Sequence, residues 1–198
     1  MRAAAFLLTW LLAFSATAQD RVGKVTRAQP DAFQRVETIG HALNHASAIY
    51  RDALVYTRRF GSAQIRLNDG TDLLISPKSS ILIDDFVFAG DDAAGGLGMT
   101  LVSGALRVLS GRMAKPSYTV NTVVAQIGVR GTLFWLDVDE PGILKIWVDE
   151  GAVEARPVGT TETFLFTAPI YAECTPTTCY EAPAPPAPAK FPDDPTRR

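Results

Sequence analysis

From Ala48 to Ala172 short apolar runs alternate with turn-forming clusters, at intervals of roughly eight to twelve residues. Ala63, Ile65 and Leu67 alternate with Gln64, Arg66 and Asn68, and Asn68-Asp69-Gly70 then gives a tight-turn signal. Ile81 to Phe88 follows the breaker Ser76-Pro77-Lys78. Period-two alternation rich in β-branched and aromatic residues predicts strands. Further strands are expected near Arg21–Val25, Ala53–Thr57, Asp72–Ile75, Met99–Val102, Ala105–Leu109, Tyr118–Thr122, Val124–Val129, Thr132–Val138, Ile143–Val148, Ala152–Ala155, Thr163–Thr167 and Ile170–Ala172. Gly128-Val129-Arg130-Gly131-Thr132 reads as a corner between two strands, because paired glycines allow positive φ or close backbone approach. The predicted class is all-β. A β-solenoid-like coil of short strands and a β-sandwich or jelly roll both fit, since each buries alternate side chains.

Two stretches depart from this texture. Between Asp31 and Asn44, Phe33, Val36, Ile39 and Leu43 recur at three- and four-residue steps, which predicts a short helical or irregular segment interrupted at Gly40. Beyond Glu181, Ala-Pro-Ala-Pro-Pro-Ala-Pro-Ala favours polyproline II and forms no core. The organisation expected is therefore a leader at 1–18, a lead-in at 19–47, the β domain at 48–172, a cysteine loop at 173–181 and a proline-rich tail at 182–198.

Composition narrows the classes. The chain has 198 residues, 47% hydrophobic and 20% charged, with a formal net charge of -2. Without a Lys/Arg block, nucleic acid is excluded as the main partner. Arg2, the apolar run Ala3 to Phe14 and Ala16-Thr17-Ala18 have the layout of a cleavable secretory leader, leaving no transmembrane anchor and placing the chain in the periplasm or outside the cell. In that oxidising setting Cys174 and Cys179 are expected to pair as a local disulfide.

Candidate chemistry is sparse. His41 and His45 would stand one turn apart on a helix, but the glutamate of a zinc-hydrolase motif and a third ligand are missing. Asp84-Asp85 are adjacent on a strand and should diverge to opposite faces. Asp91-Asp92, at the mouth of a Gly-rich loop, lack a spaced ligand series for Ca²⁺ and remain a partner-contact candidate. No catalytic residue, metal site or cofactor is assigned. Arg130, set in an apolar segment, calls for hydrogen-bonded company and reads as an internal clamp. Trp135 and Trp147 either cover a second apolar face or are exposed for a partner.

Four patches together resemble the FecR domain family, an extracytoplasmic bacterial module. They are Asp69-Gly70-Thr71, Ser76 to Asp84, Gly104-Ala105-Leu106-Arg107 with Gly111, and Thr122 to Thr132, where Gly128, Arg130, Gly131 and Thr132 stand. The resemblance spans about Arg51 to Ala155 and implies an all-β envelope domain without catalytic residues. In signalling members such a domain belongs to an anti-sigma regulator and receives its signal from an outer-membrane transporter. Here the cleavable leader and the lack of an internal span favour a stand-alone, non-enzymatic role with an envelope protein partner, as a signalling or scaffold module. Recognition of a cell-wall glycan through Trp135 or Trp147 is the alternative, and a metal-dependent hydrolase using His41 and His45 a weaker one.

Overall fold

The computed structural model describes residues 20–88, 90, 95–113, 118–138 and 142–185. The leader, Asp91-Asp92 and most of the proline-rich tail lie outside these residues. The elements in order are β1 (Arg21–Ala28), β2 (Ala32–Val36), β3 (Ile39–Ala42), β4 (Ala48–Tyr50), β5 (Leu54–Thr57), β6 (Ala63–Leu67), β7 (Asp72–Ile75) and β8 (Ser80–Val87). Then come β9 (Gly96–Ser103), β10 (Ala105–Leu109), β11 (Tyr118–Asn121), β12 (Ala125–Asp137), β13 (Leu144–Pro157), β14 (Phe164–Thr167), β15 (Ile170–Cys174) and β16 (Cys179–Glu181). No helix occurs among the described residues, and the all-β expectation holds.

The strands form one sheet, ordered β3-β2-β5-β8-β9-β11-β12-β10-β7-β6-β1-β4, with β13 on β12, β14 and β15 on β13, and β16 on β15. It curls into an open half-barrel. A coil of stacked turns would pair equivalent strands in parallel, whereas β9–β11 is the one parallel pairing among the described residues. Alternation supplies the core. In β6, Ala63, Ile65 and Leu67 are buried while Arg66 is exposed. Ile75, Ile83, Leu101, Leu106, Ile127 and Phe134 are completely buried on the inner side, each such side chain contributing about 1.5–3 kcal/mol.

The glycine-flanked corner is absent. Ala125–Asp137 is a single strand, paired along its length with the equally long β13. Its register slips between Arg130 and Phe134, where Gly131 (φ 69°) and Gly151 (φ 76°) adopt positive φ. This is a β-bulge, which bends a strand sharply without ending its pairing. The bend divides the neighbours. On one side of it β12 pairs with β11 and β13 with β14; on the other, β12 pairs with β10 and β13 with β15. One long ribbon thus serves both walls of the curl.

The helical or irregular segment expected over residues 31–44 is instead largely the β2–β3 hairpin. Its four apolar residues do not share a face. Leu43 is buried, Ile39 is 61% exposed, and Phe33 stacks on Tyr56 of β5, centroids 5.4 Å apart. Glu37, at φ 53°, turns the chain between the strands. The strands within residues 21–42 and within 173–181, which the sequence pattern set apart, belong to the same sheet.

Candidate functional site

The described polar chemistry of this protein is concentrated in buried tie-points. At the first, Asp69 begins a turn in which Gly70 takes φ 87°. Its carboxylate is fully buried and accepts from the Thr71 amide at 3.0 Å, the Thr71 hydroxyl at 2.6 Å and the Tyr118 hydroxyl at 2.7 Å. The Thr71 hydroxyl in turn accepts from the Gly111 amide, and the Asp69 carbonyl from the Arg112 amide, both at 3.0 Å. A Cβ at Gly111 would sit 2.6 Å from the Asp69 carbonyl oxygen, so only glycine lets the segments close together. Burial, reinforced by the hydrogen bond to Asp69, pushes the Tyr118 hydroxyl up to about 12. The group is held neutral, as a donor.

A second knot joins β5, β10 and the 76–80 turn. The Thr57 hydroxyl donates to the Ser76 carbonyl and accepts from the Ser79 amide, and the Ser79 hydroxyl accepts from the Ala105 amide at 2.9 Å. Gly104, at φ 77°, passes the Ser79 side chain where no Cβ fits. At the bulge, the Thr132 amide donates to the Ser110 hydroxyl and the Ser110 amide to the Thr132 carbonyl. Of the residues carrying the sequence resemblance, Asp69, Gly70, Thr71, Gly104 and Thr132 thus lie at places where segments are tied together.

Arg130 differs from its expected role. Its guanidinium pairs with Glu154 of β13, yet the side chain is 57% exposed, so it is a surface cross-strand pair and no internal clamp. Solvent screens such pairs, and Arg130→Ala is expected to lower stability by less than about 1 kcal/mol in urea denaturation. Gly128 is likewise permissive, since a Cβ there would meet only ordinary contacts, the nearest at 3.8 Å.

Trp135 and Trp147 lie on the outer face, but they are buried, 4% and 9% exposed, in a cluster with Ala105 and Tyr171. Arg107, 7% exposed, lies 5.2 Å from the Trp135 ring centroid. The covered-face alternative is the observed one, and neither Trp135 nor Trp147 is exposed for sugar stacking. His41 sits on exposed β3, and His45 meets the Thr26 carbonyl through Nδ1 at 2.9 Å. The helical pair is therefore lost, and no group of His, Cys, Asp or Glu among the described residues is arranged to hold a metal. Asp84 and Asp85 do not diverge: a register shift between Ile83 and Asp85 breaks the alternation, and both side chains approach Gly98. Asp84 accepts from Thr100 at 2.6 Å. Cys174 and Cys179 form the disulfide.

The sequence reading missed the Tyr118 hydroxyl and Thr57. Asp-x-Thr already signalled a turn closed by the aspartate, but nothing local shows that a tyrosine 49 residues away completes it.

A single curled sheet fastened by hydroxyl and carboxylate knots, with open strand edges, defines an all-β module. The chain belongs to the FecR family: the family described as FecR protein matches residues 53–154. No curated protein matches it. Two crystal structures of a candidate anti-sigma factor from Parabacteroides distasonis, at 2.50 and 1.65 Å resolution, share the fold with TM-scores of 0.52 and 0.51 at 14% and 15% identity. Each alignment covers 65% of this chain and 58% of the other, so under two thirds of those proteins' length is matched.

Proposed function

We propose that this chain is a signalling or regulatory module of the bacterial cell envelope that works by binding another protein, without catalysis of its own. It is exported by the leader at residues 1–18 and acts in the periplasm or outside the cell. Membership of the FecR family and a fold shared with a candidate anti-sigma factor support this reading. The observation that carries it is β3. This strand ends the sheet, all four of its residues are exposed, and no described strand pairs with its outer edge. A free edge offers a row of backbone donors and acceptors to an incoming strand, and Ile39 supplies an apolar anchor beside it.

A photo-crosslinking residue at position 39 should capture a discrete envelope protein in cells. Ile39→Lys with Ala42→Lys, which charges the edge without touching the core, should abolish that capture and leave the thermal melt unchanged. Capture that persists in the charged variant would move the contact elsewhere, and none from any surface position would end the protein-binding reading.

A further inference from the structure

On the outer face of β2, β5 and β8 the chain opens a cleft of about 420 Å³, lined by Arg35, Leu54, Tyr56, Lys78, Ser80 and Ser103. No Asp or Glu borders it. Elsewhere on the surface arginines are neutralised: Arg51 pairs with Asp20, Arg66 with Asp72 and Arg130 with Glu154. Arg35 and Lys78 are exposed and have no carboxylate partner among the described residues. Further cations gather at the same corner. The Lys78 amide donates to the Arg58 carbonyl at 3.1 Å. The Arg58 guanidinium lies 5.0 Å from the ring centroid of Phe33, which stacks on Tyr56. Arg59 follows it in sequence, and neither has an ion pair among the described residues. In a chain whose formal net charge is -2, such a gathering of unpaired cations attracts anions locally. The Ser80, Ser103 and Tyr56 hydroxyls, which have no partner among the described residues, can turn their hydrogens toward the same ligand.

We propose that this cleft receives the acidic side chains of the protein segment that pairs with β3. The Arg35 fork takes a carboxylate in bidentate fashion, and Lys78 adds a point charge. The inference rests on the protein-binding reading of β3 and gives that partner a chemistry. Register supplies the link. Arg35 stands opposite Gly40, and a Cβ at Gly40 would meet only the Tyr56 hydroxyl, at 3.8 Å. No β3 side chain therefore separates Arg35 from the free edge. A strand added to β3 lies two spacings, about 10 Å, from β2, a gap that an arginine and a glutamate side chain together cross. Phe33 stands opposite Ala42, so the added residue two places along meets an apolar neighbour. The segment is acidic opposite Gly40 and apolar opposite Ala42. Cations that ring a concavity beside a pairing edge suit side chains presented by a strand better than a flat lipid surface.

The probe is a capped tetraglutamate peptide, read by backbone amide chemical shifts. It should shift Lys78, Ser80 and Ser103 saturably and bind more weakly as salt rises, while a capped tetraglutamine peptide should shift none of them. Arg35→Gln with Lys78→Gln should weaken binding about tenfold or more and leave the thermal melt unchanged. Lys78→Gly separates binding from folding. Lys78 holds φ 56°, so glycine should keep or raise Tm and still cost affinity severalfold. An absence of localised shifts, or shifts that survive in the double variant, overturns the proposal. So does tighter binding of oligogalacturonate or of phosphatidylglycerol vesicles, lost in the same variant, which would make the ligand a glycan or a lipid. The two readings fail separately. Peptide binding absent with capture at position 39 retained overturns the cleft alone. Capture absent with peptide binding retained overturns the β3 partner and, with it, the source of the acid.

Discussion

Asp69→Ala should destabilise the protein by about 3–5 kcal/mol, because it strips the acceptor from three buried donors at once and leaves the Tyr118 hydroxyl and Thr71 amide unpaired. For a chain of this size that is a fall of roughly 10–15 °C in Tm. Asp69→Asn, which keeps one acceptor but turns an N–H toward a donor, should fall between the two. The knot also predicts a pH dependence of fixed sign. The Tyr118 hydroxyl is raised to about 12 when folded, against about 10 in an unfolded chain. Below pH 10 both states keep the proton and the contribution is intact. Between pH 10 and 12 the unfolded chain gives up its proton and the folded one does not, so stability falls as pH rises. Tyr118→Phe should remove that part of the alkaline slope. Urea midpoints measured from pH 8 to 11.5 test both statements. A midpoint for Asp69→Ala within experimental error of the parent's would show that the knot is not a tie-point.

The second large effect separates two glycines that share one ribbon. At Gly151 a Cβ would lie 2.1 Å from the Gly131 carbonyl oxygen, and φ is 76°. Gly151→Ala meets both a backbone clash and left-handed strain, and about 3 kcal/mol or more should be lost. At Gly128 the added methyl has room, and replacing glycine in a strand removes unfolded-state freedom. Gly128→Ala should therefore be neutral or stabilising by roughly 0.5 kcal/mol. Equal losses at the two positions would mean that the bulge does not set the bend.

These contrasts show which parts of the structure were legible in the chain. Alternation in β6 and β7 was clear because each buries one face against a common core, and period two records that directly. The family-like patches were legible as turns and glycines, but the reason for them was not. Asp69 needs Tyr118 and Gly111, which are brought to it only by the folded sheet. Gly131 looked like a corner because a bulge and a turn make the same demand on φ. Asp84 and Asp85 were expected to diverge by strict alternation, which one inserted residue cancels. The hairpin at 32–42 imitated a helix because apolar residues on two faces of short strands happened to fall three and four apart. The burial of Trp135 and Trp147 depended on which strands become neighbours, and that is a property of topology.

The shared ribbon of β12 and β13 has a further consequence, for the order of assembly. Each wall of the curl borrows its middle strands from the same two stretches of chain, and β13 ends late, at Pro157. The earlier strands can meet locally in hairpins such as β6–β7, but neither wall is complete until that late strand arrives. Folding of the two walls is therefore coupled through one strand, and whatever delays β13 delays both.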